Sequence, residues 1–192
     1  MAGEPLSGQV VWGPGKLYVA PIGTAEPASI SASWINWWRL GYTVAGSTVS
    51  YGLTTADIQV AEELDPIATI LTDRNITVAF QFAEFSLRNL QLALAGTVAD
   101  DTVVSGTAWN LEPLAFGAES RVMLGWDSDN GDRRYIFRRC FQSGTVSFAA
   151  VKGATLTGLD ASFKIEVPQT GLKPFKIFGA ASLNAISGKI TS

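Results

Sequence analysis

The chain has 192 residues, long enough for one domain with its own core, and its 17 acids and 14 bases leave a formal net charge of −3, which excludes a globally basic nucleic-acid binder. The absence of histidine removes the commonest general base, the histidine-based triads and every histidine-containing metal site. The single cysteine, Cys140, excludes an internal disulfide and an all-cysteine zinc site. With 47% hydrophobic and only 16% charged residues, 19 Gly and 8 Pro, the composition favours strands and turns.

The charge is uneven. Residues 1–101 carry ten acids and four bases, whereas residues 102–192 carry seven acids and ten bases. Two uses for that asymmetry stand open: pairing within the chain and complementary contact between copies of it. No run approaches the roughly 20 apolar residues of a membrane span. The opening Met1-Ala2-Gly3-Glu4-Pro5 lacks the basic and apolar parts of a secretory signal, so the expected site of synthesis is a cytoplasm and the sequon Asn75-Ile76-Thr77 has no glycosylation context.

In chain order, Gly15–Gly23 reads as a short strand bounded by turn formers, and residues 24–36 as a loop or arm ending in the crowded Trp34, Trp37 and Trp38. Three tryptophans so close together form either a packed corner, the favoured reading, or an exposed aromatic interface. Thr48–Tyr51 is a weak strand. Leu53–Asp73 is long, acid-rich and without sustained period, and is expected to be a long extended loop. Ile76, Val78, Phe80 and Phe82 then alternate along a strand over 74–85. A helix is expected over about 86–95, with Ser86 as N-cap, Leu87, Leu90 and Leu94 as its apolar stripe and Gly96 at its end. Ala108–Phe116, Arg121–Trp126, Arg133–Phe141, Gly144–Ala149, Thr155–Val167 and Lys173–Phe178 are further strand candidates. Asn130-Gly131 is a strong hairpin signal. A two-residue loop there would set Trp126 opposite Tyr135, Leu124 opposite Phe137 and Asp127 opposite Arg134.

Chemistry is scarce. Asp127-x-Asp129-x-Gly131-Asp132 lacks the glycine and glutamate positions of an EF-hand and reads as a hairpin turn. Gly13-Pro14-Gly15-Lys16-Leu17 lacks the first glycine and the Ser/Thr of a P-loop. The carboxylate pairs Glu62/Glu63 and Asp100/Asp101 lie in loop-like sequence, where adjacent side chains do not converge on one atom. Cys140 reads as an inert, half-buried thiol. Arg133, Arg134, Arg138 and Arg139 form the only basic cluster, but a strand splits it between two faces, so pairing with nearby acids is favoured over nucleic-acid binding. No active site, metal site or cofactor site assembles from these residues.

Leu40–Tyr51, the acid-rich stretch after it, the strand-to-helix unit Phe80–Leu90, Gly125-Trp126-Asp127 with Tyr135–Cys140, and Lys173-Pro174-Phe175-Lys176-Ile177-Phe178-Gly179 occur in that order. Over about residues 10–180 this resembles the major tail (tail tube) proteins of long, non-contractile-tailed bacteriophages and related gene transfer agents. The resemblance implies a mainly β, antiparallel sandwich or barrel-like domain spanning 1–192, with one flanking helix and N- and C-terminal arms. It implies a structural virion protein, not an enzyme, whose hexameric rings stack into a hollow tube that delivers DNA into the host. Implied partners are copies of itself and tail tip, tape-measure and terminator proteins; DNA passes without specific binding, no membrane is involved, and the virion tail is assembled in the host cytoplasm. Glu62, Glu63, Asp65 and Arg74, in or beside the long loop, are the candidate inter-subunit contacts. The competing reading is a carbohydrate- or receptor-binding β-sandwich with Trp34, Trp37 and Trp38 as its platform.

Overall fold

The computed structural model describes residues 15–62, 64–84, 86–95, 117, 119–147, 158–169 and 171–180. Its elements are β1 (Gly15–Pro21), β2 (Trp38–Arg39), β3 (Thr43–Ile58), β4 (Ala68–Phe82), α1 (Leu87–Ala95), β5 (Arg121–Ser128), β6 (Arg133–Gln142), β7 (Leu159–Ile165) and β8 (Phe175–Gly179). All pairings are antiparallel, in the order β2-β1-β5-β6-β7-β4-β3, and β8 lies beside β6 off that path. Among the described residues the sheet does not close. The mainly β expectation with one short helix is met, in a sandwich-like arrangement. The expected strand Ala108–Phe116, the Gly96 helix end and both terminal arms lie outside the described residues.

Period-two alternation explains the layering. On β1, Leu17 and Val19 enter the main core while Tyr18 and Ala20 face a second, smaller cluster. Val122 and Leu124 of β5 and Phe137 of β6 likewise point into the main core, and Met123 and Ile136 into the other. These strands are therefore covered on both faces. Ile76, Val78, Phe80 and Phe82 of β4 form the opposite wall of the main core, as their alternation predicts, and Phe80 stacks on Phe163 of β7 with ring centroids 5.7 Å apart.

The second cluster is roofed by residues 24–37, and Arg134 holds that roof down. Its Nε and Nη2 donate to the two carboxylate oxygens of Asp127 at 2.6 and 2.8 Å, and Nη1 donates to the carbonyls of Ser29 and Ala32 at 2.9 and 2.7 Å. The guanidinium also lies over the Trp34 ring, 4.5 Å from its centroid. Trp34 can reach β5 because residue 125 is glycine: a Cβ there would sit 2.3 Å from the indole.

The β5–β6 hairpin has the expected register: Trp126 faces Tyr135, Leu124 faces Phe137 and Asp127 faces Arg134. Its turn spans Asp129–Asp132 instead of two residues. The Ser128 hydroxyl accepts the amides of Asp132 and Arg133 at 3.1 and 3.0 Å, and Gly131 (φ 67°) donates its amide to the Ser128 carbonyl at 3.0 Å.

Three expectations change. Leu53–Asp73 is extended, but it is mostly paired strand and not loop, with Leu53–Ile58 running against Ala68–Arg74. The described part of Gly144–Ala149 is not a strand. Ser143 and Gly144 both donate to the Ser162 carbonyl, at 2.9 and 3.1 Å, and two consecutive amides on one acceptor break the alternation of a ladder. In α1 the buried residues are Asn89, Leu92 and Ala93, while Leu94 is exposed. The helix is rotated so that the Ala93 carbonyl accepts from Gln142 Nε2 at 2.8 Å. Ser86 does cap it, accepting the Asn89 amide at 3.2 Å.

Glu166, just past β7, binds Arg139 Nε at 2.9 Å and Arg121 Nε at 3.3 Å, which ties β5, β6 and β7 together. Partial burial acts to raise its pKa, but the hydrogen bonds and charges of the two arginines outweigh that and leave it below the ordinary 4.5. A depressed carboxyl stabilises the fold above its unfolded value, and that contribution is lost as pH falls from 4.5 through the lower folded value. Urea titrations over that range should show Glu166→Gln with a shallower acid loss of stability than the parent. Asp127→Ala, which leaves Arg134 buried without its carboxylate, should cost about 3–5 kcal/mol in the same measurement. Phe163→Ala, a core cavity, should cost about 3–5 kcal/mol.

Candidate functional site

The body of the protein offers little chemistry. Arg138 binds Glu26 through Nε at 2.5 Å and Nη2 at 2.9 Å, and that pairing raises its already high pKa. Together with the Arg134–Asp127 and Arg139–Glu166 pairs, this pairs three members of the arginine cluster with acids of the same chain. Cys140 is fully buried, and burial pushes its thiol pKa far up, so no thiolate is available. Among the described residues no group of three or more acid or cysteine side chains could hold a metal ion. An apolar gap of about 200 Å³ between Leu17, Val49, Val78, Trp126, Tyr135 and Phe137 carries no charged group.

The tryptophans are a packed corner. Trp34 stacks on Tyr18 at 4.5 Å and donates its indole N–H to Asp127 at 2.6 Å. Trp37 is buried edge-on against Trp34 and donates to the Ala25 carbonyl at 3.0 Å. Trp38 packs against the main core under the Arg88 guanidinium. No exposed aromatic platform is left by this arrangement.

What the body does not absorb is the far half of the β3–β4 hairpin. β4 pairs with β7 only over Thr77–Phe82, so Ala68–Ile76 has β3 as its sole strand partner among the described residues. Nine residues at roughly 3.3 Å each carry this ribbon about 30 Å from the last β7 contact. Both faces of β4 are exposed from Ala68 to Asn75. Eight of the 17 exposed large hydrophobic residues among the described ones fall between Tyr51 and Leu71, and Leu64 at the tip is fully exposed. A concentration of that kind on one projection marks an interaction surface.

The ribbon is built as a definite shape. Thr69 Oγ1 donates to Asp57 at 2.7 Å, Thr72 Oγ1 donates to the Thr54 carbonyl at 3.0 Å, and the Ile67 amide donates to the Ile58 carbonyl at 2.9 Å, closing the end. A register shift between Thr54 and Thr55 leaves Thr72 as the extra residue of a bulge, which twists and stiffens the pair. The outer edge of β3, the last strand of the sheet, meets no partner strand among the described residues.

Of the sequence-derived contact residues, Glu62 and Asp65 lie exposed in the ribbon tip. Arg74 stands exposed on β4 opposite Leu53, well down the ribbon from the tip. Glu63 lies outside the described residues. The same projection thus carries Glu62, Asp65 and Arg74, without bringing them into one cluster. Sequence reasoning missed the apolar members: Tyr51, Leu53, Ile58, Ile70 and Leu71. Their signal was present in the dense β-branched and threonine content of 54–72, which favours strand even where alternation fails.

Replacing Glu62 and Asp65 by Ser should shift the thermal midpoint of the isolated subunit by no more than about 2 °C, because exposed tip charges contribute within about ±0.5 kcal/mol. Differential scanning calorimetry checks this.

Residues 2–155 match the model of a family described as phage tail tube protein. No curated protein matches the chain.

Proposed function

The chain belongs to the phage tail tube protein family, and from that premise we propose that six copies form a ring and that rings stack into a hollow tube through which DNA is delivered. Family membership makes it a structural component of the virion tail that assembles with its own copies. No helix among the described residues is long and apolar enough to cross a membrane. The six-fold ring, the passage of DNA, and contacts with tail tip, tape-measure and terminator proteins belong to the proposal, as do its non-enzymatic role and its reading as one domain with terminal arms.

The observation that carries the proposal is the ribbon. A two-stranded hairpin standing alone is marginally stable in water, and an exposed, apolar strand edge is an aggregation hazard. Both liabilities disappear if neighbouring copies cover the ribbon in a repeating array. A heterologous contact repeated around an axis closes a ring, and translated along it builds a tube. The acidic excess suits a conduit for a polyanion, since carboxylates repel phosphates and keep DNA from sticking to the wall. Glu62, Glu63, Asp65 and Arg74 act in this reading as polar contacts around the apolar ribbon surface.

The test is negative-stain electron microscopy of the purified chain across a concentration series, beside a variant in which residues 54–73 are replaced by Asn-Gly to join Leu53 to Arg74. The parent should form rings or hollow tubes. The shortened chain should keep its thermal midpoint within about 5 °C, because little core is removed, and should remain as single subunits. Tubes of unchanged appearance from the shortened chain would assign assembly to another surface. Single subunits from the parent at every concentration, and also on addition of purified tail tips, would remove the tube reading.

A further inference from the structure

We infer that the acidic ribbon of one copy docks against the basic free edge of β8 on the next copy. The inference rests on the ring-and-tube reading above and names the surfaces that meet in it.

The described part of the ribbon carries Asp57, Glu62, Asp65 and Asp73 against the single base Arg74. Residues 171–180 carry Lys173 and Lys176 and no acid. They also expose Leu172 and Ile177, each about half accessible at 51% and 53%. Each surface therefore combines apolar side chains with charge of one sign, and the signs are opposite. This is the local form of the imbalance between the two halves of the sequence. Contacts within the chain use up much of the remaining charge: Glu26, Asp127 and Glu166 are paired with arginines, and Asp129 with Lys16. The ion pairs of Lys16, Arg121, Arg134, Arg138 and Arg139 consume no acid of the ribbon and no lysine of 171–180.

Backbone geometry points the same way. β8 pairs with β6 along one edge only among the described residues. The Arg138 amide donates to the Pro174 carbonyl at 3.0 Å and the Ala180 amide to the Asp132 carbonyl at 2.8 Å, so residues 174 and 180 address β6. By the two-residue period, the amides and carbonyls of Phe175, Ile177 and Gly179 address the other side, where no strand among the described residues pairs with them. The ribbon likewise has an open edge along β3 among the described residues. An open strand edge on one copy and an open edge of opposite charge on the next are what strand addition between copies requires. The apolar groups supply the burial and the charges select the partner and its orientation.

Zero-length carbodiimide cross-linking of an equimolar mixture of unlabelled and nitrogen-15-labelled protein, at an assembling concentration, tests this directly. Mixed-isotope peptides should join a ribbon carboxylate to Lys173 or Lys176. In parallel, Asp57→Lys with Asp73→Lys, and separately Lys173→Glu with Lys176→Glu, should each raise the concentration for half-assembly by about tenfold or more. Combining all four substitutions in one chain should restore most of that loss. Far-ultraviolet circular dichroism of each variant establishes that it is folded. If the parent assembles but the links join other lysines, or the four-fold variant is as defective as the paired ones, the docking is wrong and the tube reading stands. If the parent forms no assembly and no mixed-isotope link, also on addition of purified tail tips, both fall.

Discussion

Strand β4 changes environment part-way along its length, and the rest of the molecule follows from that change. From Ile76 to Phe82 alternate side chains enter the core and β7 pairs along the far edge. From Ala68 to Asn75 there is no core beneath the strand and no second neighbour strand among the described residues. One pairing with β3, interrupted within the ribbon by the bulge at Thr72, spans both regimes. The buried half anchors the exposed half, because displacing it would strip Val78, Phe80 and Phe82 from the main core. The projection can therefore be long without detaching, and it can be apolar without burying itself on its own body.

The body is organised so that it does not compete for the same role. Arg134 uses Asp127 and two roof carbonyls, and Trp34 spends its indole N–H on the same carboxylate. The roof over β1, β5 and β6 is thereby fixed, and the aromatic and cationic groups that could have served as a ligand platform are held inside the fold. Glu166 and Glu26 neutralise further arginines. Among the described residues, an apolar, acidic ribbon and a short basic edge remain for recognition, both made mostly of repeating backbone. Surfaces of that kind suit repeated association with an identical partner better than selection of a small ligand.

Much of the fold was legible in the residues. Alternation over 76–82 placed one wall of the core, and Asn130-Gly131 with its flanking aromatics set the β5–β6 register correctly. Ser86 was recognisable as a helix cap because its role is local. The errors also have physical reasons. Leu94 looked like part of an apolar stripe, yet the helix rotates to present Leu92 and Ala93 to the sheet, which only docking decides. The stretch 53–73 looked like a loop because alternation reports burial on one face, and a ribbon exposed on both faces has no such constraint.

By itself the sequence determined the class of the protein: no histidine, one cysteine, strand-rich composition, one capped helix, and an ordered series of segments sufficient to point to a tail tube family. It also determined the charge imbalance between the two halves. Those properties reside in residue identity and in contacts between near neighbours along the chain. Tertiary structure alone decided that the acid-rich stretch is a standing ribbon, that Trp37 and Arg134 are buried, and that β8 keeps one edge without a strand partner among the described residues. Each of these depends on which distant segment occupies a given face or edge, as Arg134 on Ser29 and Trp34 on Gly125 show. No period or local motif encodes such pairings, because they are fixed only when the whole sheet is assembled.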